Sequence, residues 1–182
     1  MSLLKRRRPT ATRAPQVEDN GNNRPSHDEL PCVASMHPSS LDLLALNVAR
    51  CFCHGWSSGR LAAWEHAFQM ADEQLGPVQG SDFVARVIAL MRAVMRERTG
   101  GLHYMSVGCT RICEDEEALM RAVQSAFGND ASALKMAVAE LTRTPQPECT
   151  YTLLAAQALG AFGNRAAHEI EMGPAIPRHA LN

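Results

Sequence analysis

From Leu41 to Phe162 apolar residues return at intervals of three and four, and each such segment ends at glycine, proline or a turn pair. That period belongs to the α-helix, which buries one stripe against a neighbour and leaves the rest to water. Residues 82–98 read most cleanly. Val84, Val87, Ile88, Met91, Val94 and Met95 form the stripe, with Ser81 as the expected cap. Residues 58–75 offer a second seam of Leu61, Trp64, Phe68, Ala71 and Leu75, stopped by Gly76-Pro77. Residues 41–53 are apolar on two sides, with Leu41, Leu44, Val48 and Phe52 backed by Leu43 and Leu46. Such a helix sits centrally. His37-Pro38-Ser39-Ser40 before it supplies hydroxyls for first-turn amides, and Gly55 is expected to break it.

Three more helices follow. One starts near Glu114 and turns Leu119, Ala122, Val123, Ala126 and Phe127 inward; Asp130 caps the next; the last covers about 152–162. Only 5% of the chain is aromatic, and the abundant Ala, Leu, Met and Arg lose little on entering a helix. Residues 102–107 (LHYMSV) alternate as a strand does after the Gly100-Gly101 break. One strand does not stand alone. Its expected partner is residues 148–152 (ECTYT) or the same segment of a second subunit, which would make the protein a dimer. The expected architecture is therefore all-α: a compact bundle of five or six helices with one short β element.

The chain has 182 residues, enough for one domain. Residues 1–38 are polar and aperiodic and are expected to be a disordered tail, residues 39–172 the helical domain, and residues 173–182 an irregular end. Net charge is −1, but residues 1–30 hold six basic and four acidic groups, leaving 12 and 15 for the remainder. A slightly acidic body argues against nucleic acid as a partner. Lys5–Arg8 then reads as a solvated tip, and Arg86, Arg92, Arg96 and Arg98 as a solvated helix face. No apolar signal core follows the first cations, and no stretch approaches the ~18 apolar residues of a membrane span. The expectation is a soluble, cytoplasmic protein whose six cysteines are not a disulfide framework.

Reactive side chains gather in two places. Cys51-Phe52-Cys53-His54 ends the first helix, and His103, Cys109 and Cys113 lie around the loop before Glu114. On a continuing helix Cys51 and His54 share a face, and Cys109 and Cys113 could complete a three-Cys, one-His zinc shell. The spacing is not that of paired C-x-x-C ligands, and the first cluster falls one residue short of a haem-attachment motif. A redox reading pairs Cys113 at a helix start with Cys109 as its resolving thiol. Against both stands the ordinary behaviour of cysteine as a small buried hydrophobe, which is the reading favoured here. The four acids Glu114–Glu117 fit the same plain account, since negative charge stabilises any first helical turn.

Nucleophile elbows, phosphate loops, dinucleotide fingerprints and H-E-x-x-H are all missing, which argues against an enzyme of those classes. Residues 114–143 could form a helix-turn-helix, but Lys135 and Arg143 are too few cations for a second helix to read a groove. Trp56 and Trp64 are expected to anchor packing.

Residues 43–50, 85–96 and Gly108-Cys109-Thr110-Arg111 with Asp115-Glu116 resemble a family of small helical bacterial proteins without an assigned activity. In that family an apolar first helix, a seam helix and an arginine-bearing third helix lead through a cysteine loop to an Asp-Glu helix start. The resemblance implies an all-helical fold and draws notice to Cys109. The functional expectation is a non-catalytic accessory or protein-interaction module, acting on an unknown protein or on itself. The competing class is a metal or thiol regulator built on Cys51, His54, Cys109 and Cys113.

Overall fold

A computed structural model describes residues 27–144 and 150–172, with side chains through residue 165. Residues 1–26 and 173–182, expected as tails, lie outside it, as do Pro145, Pro147 and Cys149. Six helices follow in order: α1 (Ser40–Ser58), α2 (Leu61–Leu75), α3 (Pro77–Glu97), α4 (Glu114–Phe127), α5 (Ala131–Thr142) and α6 (Thr150–Met172). Helix α1 packs on α2, α3 and α4; α3 also meets α2 and α6; α4 pairs with α5 and α6. Helices α2 and α5 thus flank a centre made by α1, α3, α4 and α6. One continuous core runs through it, including Phe52, Phe83, Leu90, Met91, Leu119, Leu141 and Leu159.

The start of α1 follows the sequence. Ser39 Oγ accepts from the Asp42 amide at 3.2 Å while Asp42 Oδ2 accepts from the Ser39 amide at 2.8 Å, a reciprocal cap. Its end does not. Helix α1 continues through Gly55 to Ser58 and stops only at Gly59, whose φ is 68°. Gly55 serves a contact instead, for a Cβ there would lie 2.6 Å from the Trp64 indole nitrogen. Pro77 likewise opens α3 at its first position, four residues before the expected Ser81 cap. Helix α6 begins at Thr150 because the Glu97 carboxylate accepts from the Tyr151 and Thr152 amides, at 2.7 and 2.9 Å. It also runs past Phe162. Gly160 and Gly163 lie within it where it meets α4, one against the Ala126 carbonyl and the other against the Phe127 ring.

Two further expectations change. The seam of α2 is only partly buried: Ala67 and Ala71 are covered, while Leu61 and Phe68 are exposed at 70% and 37%. Small alanines let α2 lie close to its neighbours, so the larger side chains flank the contact rather than fill it. The short β element is not found among the described residues, where pairing is limited to an isolated antiparallel bridge between Cys32 and Arg111. Residues 102–107 are irregular, and Thr150–Thr152, three of the five residues of the expected partner strand, are helical.

Residues 27–38, assigned from sequence to the tail, form two short 3-10 turns, His27–Glu29 and Val33–Met36, laid over the bundle as a strap. Val33 and Met36 close a small second core with Leu46, Ile112 and Met120. The Val33 amide donates to the Thr110 carbonyl at 2.8 Å, and the Ile112 amide to that of Pro31 at 3.0 Å.

A Cβ at Gly160 would stand 2.4 Å from the Ala126 carbonyl oxygen. Gly160→Ala should therefore cost roughly 1–3 kcal/mol by forcing α4 and α6 apart, despite alanine's better helix propensity. A urea-unfolding midpoint at or above that of the unchanged protein would contradict this packing.

Candidate functional site

The segment from Thr99 to Cys113 has no regular structure, yet its polar backbone is not left to water. Four charged side chains hold it. From the first turn of α4, Glu116 accepts from the Met105 amide at 2.9 Å and the Cys113 amide at 3.2 Å. Arg50 of α1 donates to the same carboxylate through Nε at 2.7 Å and Nη2 at 3.0 Å. The remaining guanidinium donors reach the Cys109 and Arg111 carbonyls, at 2.7 and 2.8 Å. Both side chains of this pair are nearly fully buried, at 2% and 4% exposure.

Asp115 makes a parallel set. It accepts from the His103 amide at 2.8 Å, from Arg98 Nη2 at 2.6 Å and from Arg143 Nη2 at 2.9 Å. Arg98 also donates to the Gly101 and Leu141 carbonyls. Burial alone would raise the Asp115 carboxyl, but the His103 amide, Arg98 and Arg143 outweigh it and bring the group below its ordinary value of 3.8.

This explains the missing strand. The alternation holds at its start, for Leu102 and Tyr104 pack on the core while His103 between them is exposed. The His103 and Met105 amides, however, are taken by carboxylates of α4 rather than by a neighbouring strand. Nor is the run of acids at α4 merely a favourable first turn: Asp115 and Glu116 are buried ligands for arginines and backbone. Arg98, expected on a solvated face, is buried with them. Arg86 and Arg96 of the same helix lie over the Phe162 and Tyr151 rings, at 5.7 and 4.3 Å.

The structure does not assemble the expected metal shell. Among the described residues no three His, Cys, Asp or Glu side chains are placed to hold a metal ion. Cys51 is buried in the main core, and burial pushes its thiol up to about 11. His54 is exposed on α1. The Cys113 thiol donates to the His103 carbonyl at 3.3 Å, and burial together with the Glu116 charge pushes it up to about 12. Cys53 is pushed up to about 12 as well, by burial and by Glu116 and Cys113. Of the two cysteines in the expected redox pair, Cys113 faces the His103 carbonyl, while Cys109 Sγ lies 3.3 Å from His27 Nε2.

Beside this network lies an open groove of about 530 Å3 between the strap, α1 and the Gly108–Thr110 turn. Leu43, Leu46 and Asn47 form its α1 side, with Val33, His37 and Cys109 opposite. A second groove of about 390 Å3 adjoins it between α1 and Met70, Glu73 and Gln74 of α2, and Leu43 and Asn47 line both. Asn47 also braces the turn, its Oδ1 accepting from the Gly108 amide at 3.5 Å. Sequence reading passed over Arg50, Cys32 and His27. Only Arg50 carried a signal, as the lone cation in a helix apolar on two sides.

Family models, curated proteins and solved structures contain no match to the chain.

Removing one member of a buried ion pair strands the other, so Glu116→Ala should destabilise the fold by roughly 3–5 kcal/mol in urea unfolding. Asp115 sets an acid limit. Its folded carboxyl titrates below the unfolded one, so its stabilisation is complete above pH ~4 and disappears as pH falls through the folded value. Asp115→Asn should lower stability at pH 7 and flatten the loss of stability below pH ~4. An unchanged acid slope would contradict that role.

Proposed function

We propose that the protein is a non-catalytic helical interaction module and that the double groove along α1 receives an apolar segment of a partner protein. The observation that carries this is Leu43, a large side chain left 38% exposed on a central helix, with a groove on either side of it. Burying such a surface is worth about 25 cal/mol per Å2, and a rigid helix loses little entropy in presenting it. The walls come from three separate elements, the strap, α1 and α2, so the groove exists only in the folded bundle. A cytoplasmic setting accords with the five unpaired cysteines of the described residues. No helix among these residues is long and apolar enough to cross a membrane.

A photo-crosslinking residue placed at position 43 of the full chain, in source cells, tests the reading against the same residue at Met136, exposed on α5. One protein should be captured from position 43 alone. Binding of that protein, purified, should weaken at least about ten-fold in Leu43→Arg, as loss of a buried anchor requires. Identical products from both positions, or unchanged binding in Leu43→Arg, would refute the groove. Self-association is separated by sedimentation of the protein alone, where a concentration-dependent mass abolished by Leu43→Arg identifies the partner as a second copy.

A further inference from the structure

The described cysteines divide by what reaches their sulfur. Cys51 and Cys53 are closed into the core, and Cys113 donates to a backbone carbonyl. Cys109 is half-buried and differently surrounded. Its Sγ lies 3.3 Å from His27 Nε2 and accepts from the Arg111 amide at 3.4 Å. The other ring nitrogen of His27, Nδ1, stands 3.6 Å from Asp28 Oδ1. With its proton on Nδ1, facing Asp28, the imidazole can accept one at Nε2. A base at the thiol and an N–H at the sulfur are parts that make a thiol a nucleophile.

A second accessible sulfur lies near. Cys32 is exposed on the strap, and the antiparallel bridge pairs it with Arg111. Cys109 stands two residues before Arg111, so the bridge brings the strap close to its loop. Both line the larger groove. A disulfide requires Cα atoms within about 7 Å of each other, a span within which strap and loop must bring the two.

We infer that Cys109 is a peroxide-reactive thiol and that Cys32, rather than Cys113, resolves it. The co-reactant is a hydroperoxide. The Cys109 thiol passes its proton to His27 Nε2, and the sulfur attacks one peroxide oxygen. The S–O bond forms as the O–O bond breaks. The departing oxygen takes the proton from His27 and leaves as water or alcohol. Sulfur is thereby oxidised to a sulfenic acid and the peroxide reduced. Cys32 then attacks the Cys109 sulfur; the S–S bond forms, the S–O bond breaks, and the hydroxyl leaves as water with the Cys32 proton. The resulting bond ties the strap to the loop across one end of the groove. This chemistry goes beyond the interaction reading and does not depend on it.

The test uses the reduced full chain, hydrogen peroxide at equal concentration, alkylation of remaining thiols and tryptic mapping without reduction. Cleavage at Arg111 separates Cys109 from Cys113, and Cys51 and Cys53 share another peptide, so the linked masses name the partners. The expected product joins the Cys32 and Cys109 peptides within one chain. In Cys32→Ser, dimedone should trap a sulfenic acid at Cys109. His27→Gln should slow the reaction on the order of ten-fold or more, with an unchanged circular dichroism spectrum. A bond from Cys109 to Cys113 or Cys149, a bond between chains, oxidation spread evenly over the thiols, or an unchanged rate in His27→Gln would each overturn the inference.

Discussion

Two adjacent carboxylates at the start of α4 hold the parts of this protein that no helix holds. Asp115 and Glu116 each take amides from the loop and guanidinium groups from elsewhere, Arg50 of α1 for one and Arg98 and Arg143 for the other. An irregular chain inside a bundle is ordinarily expensive, because each unpaired amide or carbonyl costs a lost hydrogen bond. Here the side chains stand in for a β partner. The arrangement also solves the opposite difficulty, that of burying charge. Desolvation of a lone carboxylate or guanidinium is severe, but Glu116 and Arg50 meet two bonds deep and spend their remaining lone pairs and protons on backbone. Such a network fixes which loop conformation the bundle accepts more than it adds net stability.

That conformation in turn shapes the surface. Arg50 grips the Cys109 and Arg111 carbonyls from below, which sets the edge on which the strap lies. The strap adds its own pairing through Val33 and Ile112, and its apolar contacts with Leu46 and Met120 bind it to α1 and α4. The groove is what remains between strap and helix. A site of this kind couples the surface to the interior: whatever loosens the carboxylate network also moves the wall that carries Cys109.

Much of the bundle was legible in the sequence. The stripe of α3, the Ser39 start of α1, the Glu114 start of α4 and the Asp130 cap of α5 were all readable, because periodicity and capping are local. Misreadings arose where a residue type has two uses. Gly55 signalled a break but, like Gly160 and Gly163, supplied close approach between helices. Alternation at residues 102–107 signalled a strand, since the pattern of buried side chains does not say whether amides go to a strand or to carboxylates. The acids of α4 and the arginine at 98 looked solvated because their partners lie far off in the chain. Arg50 and Glu116 are 66 residues apart.

The sequence by itself determined a mainly helical bundle, the position of most helices and a central first helix, for these follow from propensity, spacing and capping over a few turns. Which residues share a site was decided only in three dimensions. The zinc shell suggested by Cys51, His54, Cys109 and Cys113 is not assembled among the described residues: α1 buries Cys51 and exposes His54, and the loop gives Cys109 and Cys113 different partners. The strap instead brings His27 and Cys32 to Cys109 across more than seventy residues, a meeting no local rule foretells. Tertiary structure also chose the burial of Asp115 and Glu116, since a charge becomes an internal fastener only once the opposite charge has folded against it.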